Sequence, residues 1–164
     1  MKKPPAPILD ATDLRILALL QGDARTSNVE IARKVGLVPS AIFQRIRKLQ
    51  KQGTILSHEA RIDPTAVGCG LTAFVFVTAD ERVGSLGVGA RLARLPEVQE
   101  VHQVAGEDCY LVKVKVADPG DLGRLLRKKI GTIASVRATR TTIVLQTVKE
   151  TGKVPLPPTR KGKS

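Results

Sequence analysis

Cysteine is scarce in this sequence, tryptophan is absent, and no apolar run is long. The two thiols, Cys69 and Cys109, have no Cys or His at metal-ligand spacing, so neither a zinc site nor a disulfide framework is expected. Both read as small apolar residues. Three Phe, one Tyr and no Trp are too few for base-stacking platforms, which argues against RNA as the partner. His58 and His102 are the only histidines; both read as structural residues, no triad is credible, and the chain is not read as an enzyme. Gly84, Gly87 and Gly89 follow a predicted strand, but their order is reversed from a dinucleotide fingerprint and no parallel sheet extends beyond them. No cofactor is expected. No stretch approaches a membrane span, and Met1-Lys2-Lys3-Pro4-Pro5 lacks the apolar core of a signal peptide. The expected location is the cytoplasm, on the nucleoid, with no membrane partner.

Acid is also in short supply, and unevenly so. The formal net charge is +12 over 164 residues, with +6 in residues 1–62, +2 in residues 63–148 and +4 in residues 149–164. Between Ile31 and His58 there are six cations (Arg33, Lys34, Arg45, Arg47, Lys48, Lys51) and no acid. A solvated helical surface normally mixes its signs, so this stretch is the footprint of a phosphate-facing surface, and double-stranded DNA is the expected partner.

Residues 1–8 are Pro-rich and expected to be disordered. Asp10 and Asp13 form an N-terminal cap for a helix that carries Ile16, Leu17 and Leu20 and ends at Gly22. Ser27 and Glu30 make a capping box for a second, two-turn helix closed by Gly36. After a short turn, Pro39 suits the first position of a third helix, with Ile42, Phe43, Ile46 and Leu49 on the inward face. Two helices joined by a tight turn, the second with small and polar residues first and cations later, form a helix-turn-helix over residues 28–47. Small and amide side chains read base edges, while cations reach phosphates. The candidate DNA-facing set is Ser27, Asn28, Pro39, Ser40, Ala41, Gln44, Arg45, Arg47, Lys48 and Lys51. Residues 55–62 alternate roughly and predict a short wing strand, closing a DNA-binding domain over 9–62.

A turn-rich hinge over 63–70 leads to a second domain over 71–148. Its periodicities predict strand, helix, strand, strand, helix, strand, in the order βαββαβ. The fold class is α+β: a winged helix-turn-helix followed by a ferredoxin-like βαββαβ domain with both helices on one face of an antiparallel sheet. The other face needs cover, and a second copy of the chain is the economical solution. Residues 149–164 read as a flexible basic tail.

The stretch from Leu9 to Ile55, with L-D-x-x-D-x-x-I-L, R-x-S-N-V-E and R-I-R-K-L, resembles the winged helix-turn-helix of the Lrp/AsnC (feast/famine, leucine-responsive) regulators. V-A-G-E-D-C-Y-L-V-K-V and T-R-T-T-I-V extend the likeness to about Glu150. The resemblance implies a transcriptional regulator that forms homodimers through its βαββαβ domains, assembles further into octamers, and binds an amino acid or related small metabolite between dimers. It places effector contacts at Gly106, Glu107, Asp108, Cys109 and Tyr110, with help from Thr139 and Thr141. Many members carry Asp directly before the aromatic residue of that turn, where this chain has Cys109, and Ser where it has Val38. Loss of that cap is expected to cost about 1 kcal/mol unless another group replaces it. The alternatives are an effector-independent nucleoid-associated protein and an enzyme of the similar siroheme-decarboxylase architecture. Such an enzyme needs basic residues and catalytic His or Tyr groups in the second domain, which is the near-neutral one.

Overall fold

The computed structural model describes residues 8–82 and 85–158. Residues 1–7, Gly84 and the last cations of the tail, about which expectations were stated above, lie outside the described residues. The chain divides into two compact units: residues up to Ala60 together with those from Thr151 onward, and Arg61–Glu150.

The first unit is helical. Helix α1 (Ala11–Gly22) starts at a reciprocal cap, in which Asp13 N–H donates to Asp10 Oδ1 at 2.7 Å and Asp10 N–H donates to Asp13 Oδ2 at 3.3 Å. Helix α2 (Asn28–Val35) is capped by Ser27, whose hydroxyl accepts from Glu30 N–H at 3.2 Å. It stops at Gly36, where φ is +83°, a conformation that costs other residues a Cβ clash. Helix α3 (Pro39–Lys51) has Pro at its first position and no side-chain cap from Val38. Ile16, Leu17, Ile31, Ala32, Ile42 and Leu49 bury one another at the centre of the three helices. Phe43, expected inward, is 49% exposed because it lies about 100° around the helix from Ile42. The wing strand expected over 55–62 is not formed. These residues have no paired neighbour, and Leu56 and Ile62 are exposed. An extended segment with no ladder to join gains no inter-strand hydrogen bonds.

The second unit begins with a 3₁₀ turn (Thr65–Val67) and then forms β1 (Leu71–Ala79), α4 (Gly87–Leu92), β2 (Val98–Gln103), β3 (Tyr110–Val116), α5 (Pro119–Leu125) and β4 (Val136–Ile143). The sheet order is β2-β3-β1-β4, antiparallel at every pairing, as the βαββαβ reading requires. Helix α5 runs on into a π turn (Leu126–Ile130), closed by Gly131 N–H donating to Leu126 O. The last strand ends at Ile143 rather than the expected Val148; Leu145 and Val148 are exposed.

Period-two alternation decides which face is core. Ala73, Val75 and Val77 of β1 and Tyr110, Val112, Val114 and Val116 of β3 pack against Val88, Leu92, Leu122, Leu125 and Ile130, so both helices lie on one face. The opposite face is less apolar than expected. Phe74, Phe76 and Leu111 share it with Lys113, Lys115 and Arg140, by register. Lys113 is bonded to Glu100 and Glu150, Lys115 lies 3.5 Å from Glu150, and the Arg140 guanidinium stacks 4.0 Å from the Phe76 ring centroid. Among the described residues, no helix is long and apolar enough to cross a membrane.

Candidate DNA interface and effector turn

The outward side of α3 is set by what its inward side must bury. With Ile42 and Leu49 in the core, Ser40, Gln44, Arg47, Lys48 and Lys51 are exposed, and Ala41 is half-buried beside them. Arg47, Lys48 and Lys51 form no ion pair among the described residues. Their charge is available to a polyanion. Asn28, Phe43, Arg47, Gln50 and His58 line an open groove of about 490 Å³ beside the start of α2. The Ser27 hydroxyl oxygen accepts the capping bond from Glu30 N–H, which leaves its O–H free to donate to a phosphate.

Arg45 departs from the expected set. Its Nη1 donates to Asp10 Oδ2 and to Asp13 Oδ1, each at 2.7 Å, and Asp13 is only 4% exposed. Arg45 therefore closes α3 onto the N-terminus of α1 and neutralises a buried carboxylate. Burial alone raises the Asp10 carboxyl, but hydrogen bonds from Asp13 N–H and Arg45 outweigh it and leave the group below its ordinary value. The helical wheel held a signal for this. Arg45 lies three residues after Ile42 and four before Leu49, at the edge of the inward stripe.

The turn between β2 and β3 is closed by Val104 N–H donating to Cys109 O at 3.0 Å, and Gly106 adopts φ +143°. Asp108 accepts from Thr78 Oγ1 at 3.3 Å and from Arg140 Nη2 at 2.9 Å, while Glu107 is exposed. The remaining expected contacts separate. Tyr110 is 1% exposed and sits on the helix side of the sheet, its hydroxyl donating to Glu81 Oε2 at 2.7 Å. A Cβ at Gly89 would meet the Tyr110 ring at 2.7 Å, so glycine there lets α4 lie against the ring. Burial and the adjacent Glu81 raise the Tyr110 hydroxyl, and the same hydrogen bond is the main cause that lowers Glu81. Glu81 also accepts from Val88 N–H at 2.8 Å, fixing the start of α4. The Cys109 thiol is engaged with the main chain of Ala79. Thr139 and Thr141 stand opposite Val77 and Val75, hence on the helix side, whereas Arg140 stands opposite Phe76 on the other face. Asp108 is thus brought to Arg140 and not to the two threonines. Arg140 is the residue missed by the sequence reading, although period two from a half-buried Phe76 pointed to it.

Comparison with known proteins identifies the family. Residues 9–55 match the winged helix-turn-helix DNA-binding family, and residues 72–154 match the Lrp/AsnC ligand binding domain. The leucine-responsive regulatory protein of Salmonella typhimurium is 35% identical over 155 residues, covering 93% of this chain and 94% of the relative. A feast or famine regulatory protein from M. tuberculosis, solved in complex with L-methionine, superposes with a TM-score of 0.82 at 37% identity, covering 90% of this chain and 99% of that one. A transcriptional regulator from Neisseria meningitidis, also solved with L-methionine, gives 0.83 at 28% identity over 90% and 97% of the two chains. The chain belongs to the Lrp/AsnC family of DNA-binding transcriptional regulators.

Proposed function

We propose that this regulator reads duplex DNA through the exposed side of α3 and answers to a small zwitterionic metabolite, an amino acid, at the Gly106–Asp108 turn. The observation that supports the first half is the row of exposed cations Arg47, Lys48 and Lys51, which have no acidic partner among the described residues and flank the exposed amide of Gln44. Gln44 can satisfy an adenine edge with a donor and an acceptor, and the cations supply sequence-independent affinity. Asn28 and the main chain around Ser27, Pro39 and Ser40 approach the backbone. The second half is supported by the Asp108–Arg140 pair, opposite charges 2.9 Å apart at the end of the sheet. A zwitterion can exchange that pair for two of its own, its ammonium on Asp108 or Glu107 and its carboxylate on Arg140. L-Methionine in two structural relatives makes it the first ligand to try.

Assembly follows from the sheet face that carries Phe74, Phe76 and Leu111, which a second copy would cover, giving homodimers and higher assemblies up to octamers. The reading assigns no catalytic chemistry and needs no cofactor besides the effector. Fluorescence anisotropy with a selected and a scrambled duplex tests it: Gln44→Ala is expected to lose about 1 to 3 kcal/mol on the selected site alone. Equal affinity of the unmutated chain for both duplexes would favour effector-independent, non-specific DNA binding. A thermal shift with L-methionine that disappears in Asp108→Ala is the expected result for the effector half.

A further inference from the structure

Val38 is an apolar residue at a place where folding favours a polar one. It is the N-cap of α3, and its side chain makes no hydrogen bond to the helix, whereas Asp10 and Ser27 cap α1 and α2. Valine is among the poorest N-cap residues, because it has no oxygen to accept a main-chain N–H. Packing does not compensate: Val38 is 62% exposed. Pro39 and Ser40 beside it are exposed as well, Ala41 is half-buried, and the first turn of α3 holds no acid. Followed from its start, the exposed side of α3 is thus apolar at Val38 and Pro39, polar at Ser40 and Gln44, and cationic at Arg47, Lys48 and Lys51.

We propose that Val38 is a specificity-determining residue of the DNA interface, whose exposed methyls, together with the Pro39 ring, cover the C5-methyl of a thymine in the major groove. Among the groups that the base pairs display in that groove, the thymine methyl is the apolar one, so an exposed apolar side chain at the head of a reading helix has one match there. A serine at this position would cap the helix but bury no methyl. Arg47, Lys48 and Lys51, which form no ion pair among the described residues, hold α3 to phosphates whatever the sequence, and this leaves discrimination to Gln44 and to the head of the helix. Val38 precedes Gln44 by six residues, about 9 Å along a helix axis, and base pairs stack about 3.4 Å apart. The thymine therefore lies within about three base pairs of the edge that Gln44 reads. The inference rests on DNA reading by α3.

The test exchanges thymidine for deoxyuridine, which removes the C5-methyl and leaves every hydrogen-bonding group of the base in place. Fluorescence anisotropy measures the affinity of the full chain, of V38A and of V38S for the selected duplex and for duplexes with deoxyuridine at one thymine at a time. The parent is expected to bind about fourfold more weakly when the contacted thymine is replaced, the effect of one buried methyl. V38A and V38S are expected to bind the unmodified duplex about fourfold more weakly than the parent and to be indifferent to the same replacement. V38S should also melt higher than the parent, because serine caps α3, so its weaker binding would not come from unfolding. V38A adds no hydroxyl and controls for a new contact made by the serine. Parent-like affinity of the unmutated chain for every deoxyuridine duplex overturns the proposal while leaving DNA binding by α3 intact. A deoxyuridine penalty that persists in both variants overturns it too, because the methyl would then act through another residue or through DNA shape. Equal affinity of the parent for the selected and the scrambled duplex would instead remove sequence reading by α3, and this inference with it.

Discussion

The two units differ in how far their cations are paired. In the sheet unit seven of the thirteen cations among the described residues, Arg61, Lys113, Lys115, Arg124, Lys129, Arg137 and Arg140, are matched to a carboxylate. In the helical unit, among the described residues, only Lys34 and Arg45 are. Exposed pairs of this kind contribute little to stability, so the contrast is about availability more than about holding the fold together. Cations already balanced offer a duplex nothing until an acid is displaced. Cations left over release counterions on binding and supply affinity directly. On the proposed reading, the contrast assigns DNA reading to one unit and leaves the Asp108–Arg140 pair of the other for a zwitterion to open.

Arg45 and Lys48 bring the same contrast within a single helix, and substituting them separates structure from reading most sharply. Arg45→Ala leaves the buried Asp13 carboxylate unpaired and is expected to cost about 2 to 3 kcal/mol in urea unfolding, discounted from a fully buried pair because Arg45 is partly exposed. Lys48→Ala is expected to stay within about 0.5 kcal/mol of the parent in the same experiment. Equal destabilisation by both would erase the distinction.

Gly89→Ala gives a comparable break in the sheet unit. The added methyl meets the Tyr110 ring, and about 1 to 3 kcal/mol of stability should be lost. Tyr110→Phe, which keeps the ring and removes only the hydrogen bond to Glu81, is expected to cost about 1 to 2 kcal/mol. Neither change should alter the slope of DNA affinity on salt. A changed slope in the Gly89 variant would mean that the two units are not independent in function.

The smallest effect is a pH dependence. Glu81 is lowered chiefly by the Tyr110 hydrogen bond, Glu100 by His102 and Lys113, and Glu150 by Lys113. A carboxyl lowered in the folded state contributes stability that is fully present above its unfolded value, near 4.5, and is lost as pH falls through the folded value. Melting temperature is therefore expected to decline below about pH 5, and the decline should be shallower in Glu81→Gln. An equally steep decline in that variant would remove Glu81 from the account.

Much of this was legible in the sequence because local rules and the global fold agreed. The Asp10–Asp13 and Ser27–Glu30 caps, Gly36 and Pro39 mark the three helices, and alternation through Ala73, Val75 and Val77 and through Val112, Val114 and Val116 marks the two central strands. Long-range partners were harder. The destination of Arg45 depends on a carboxylate pair more than thirty residues away, and a helical wheel places it at a boundary where either fate is compatible. At the effector turn, the resemblance implies Thr139 and Thr141, but a strand sends alternate residues to opposite faces, so Arg140 between them is the residue that reaches Asp108. The wing failed for a different reason: alternation over 55–62 describes a strand only if another strand lies beside it. The contact between Gln21 and the main chain of Val154 left no pattern, since a side-chain amide bonded to a main chain has no period.

The most direct test of the division of labour is the salt dependence of duplex affinity in R47A/K48A/K51A, measured beside its melting temperature. The account predicts a slope reduced by about 2.7, weaker binding on every duplex, and a melting temperature close to that of the parent. A parent-like slope, or a loss of affinity accompanied by unfolding, would contradict it.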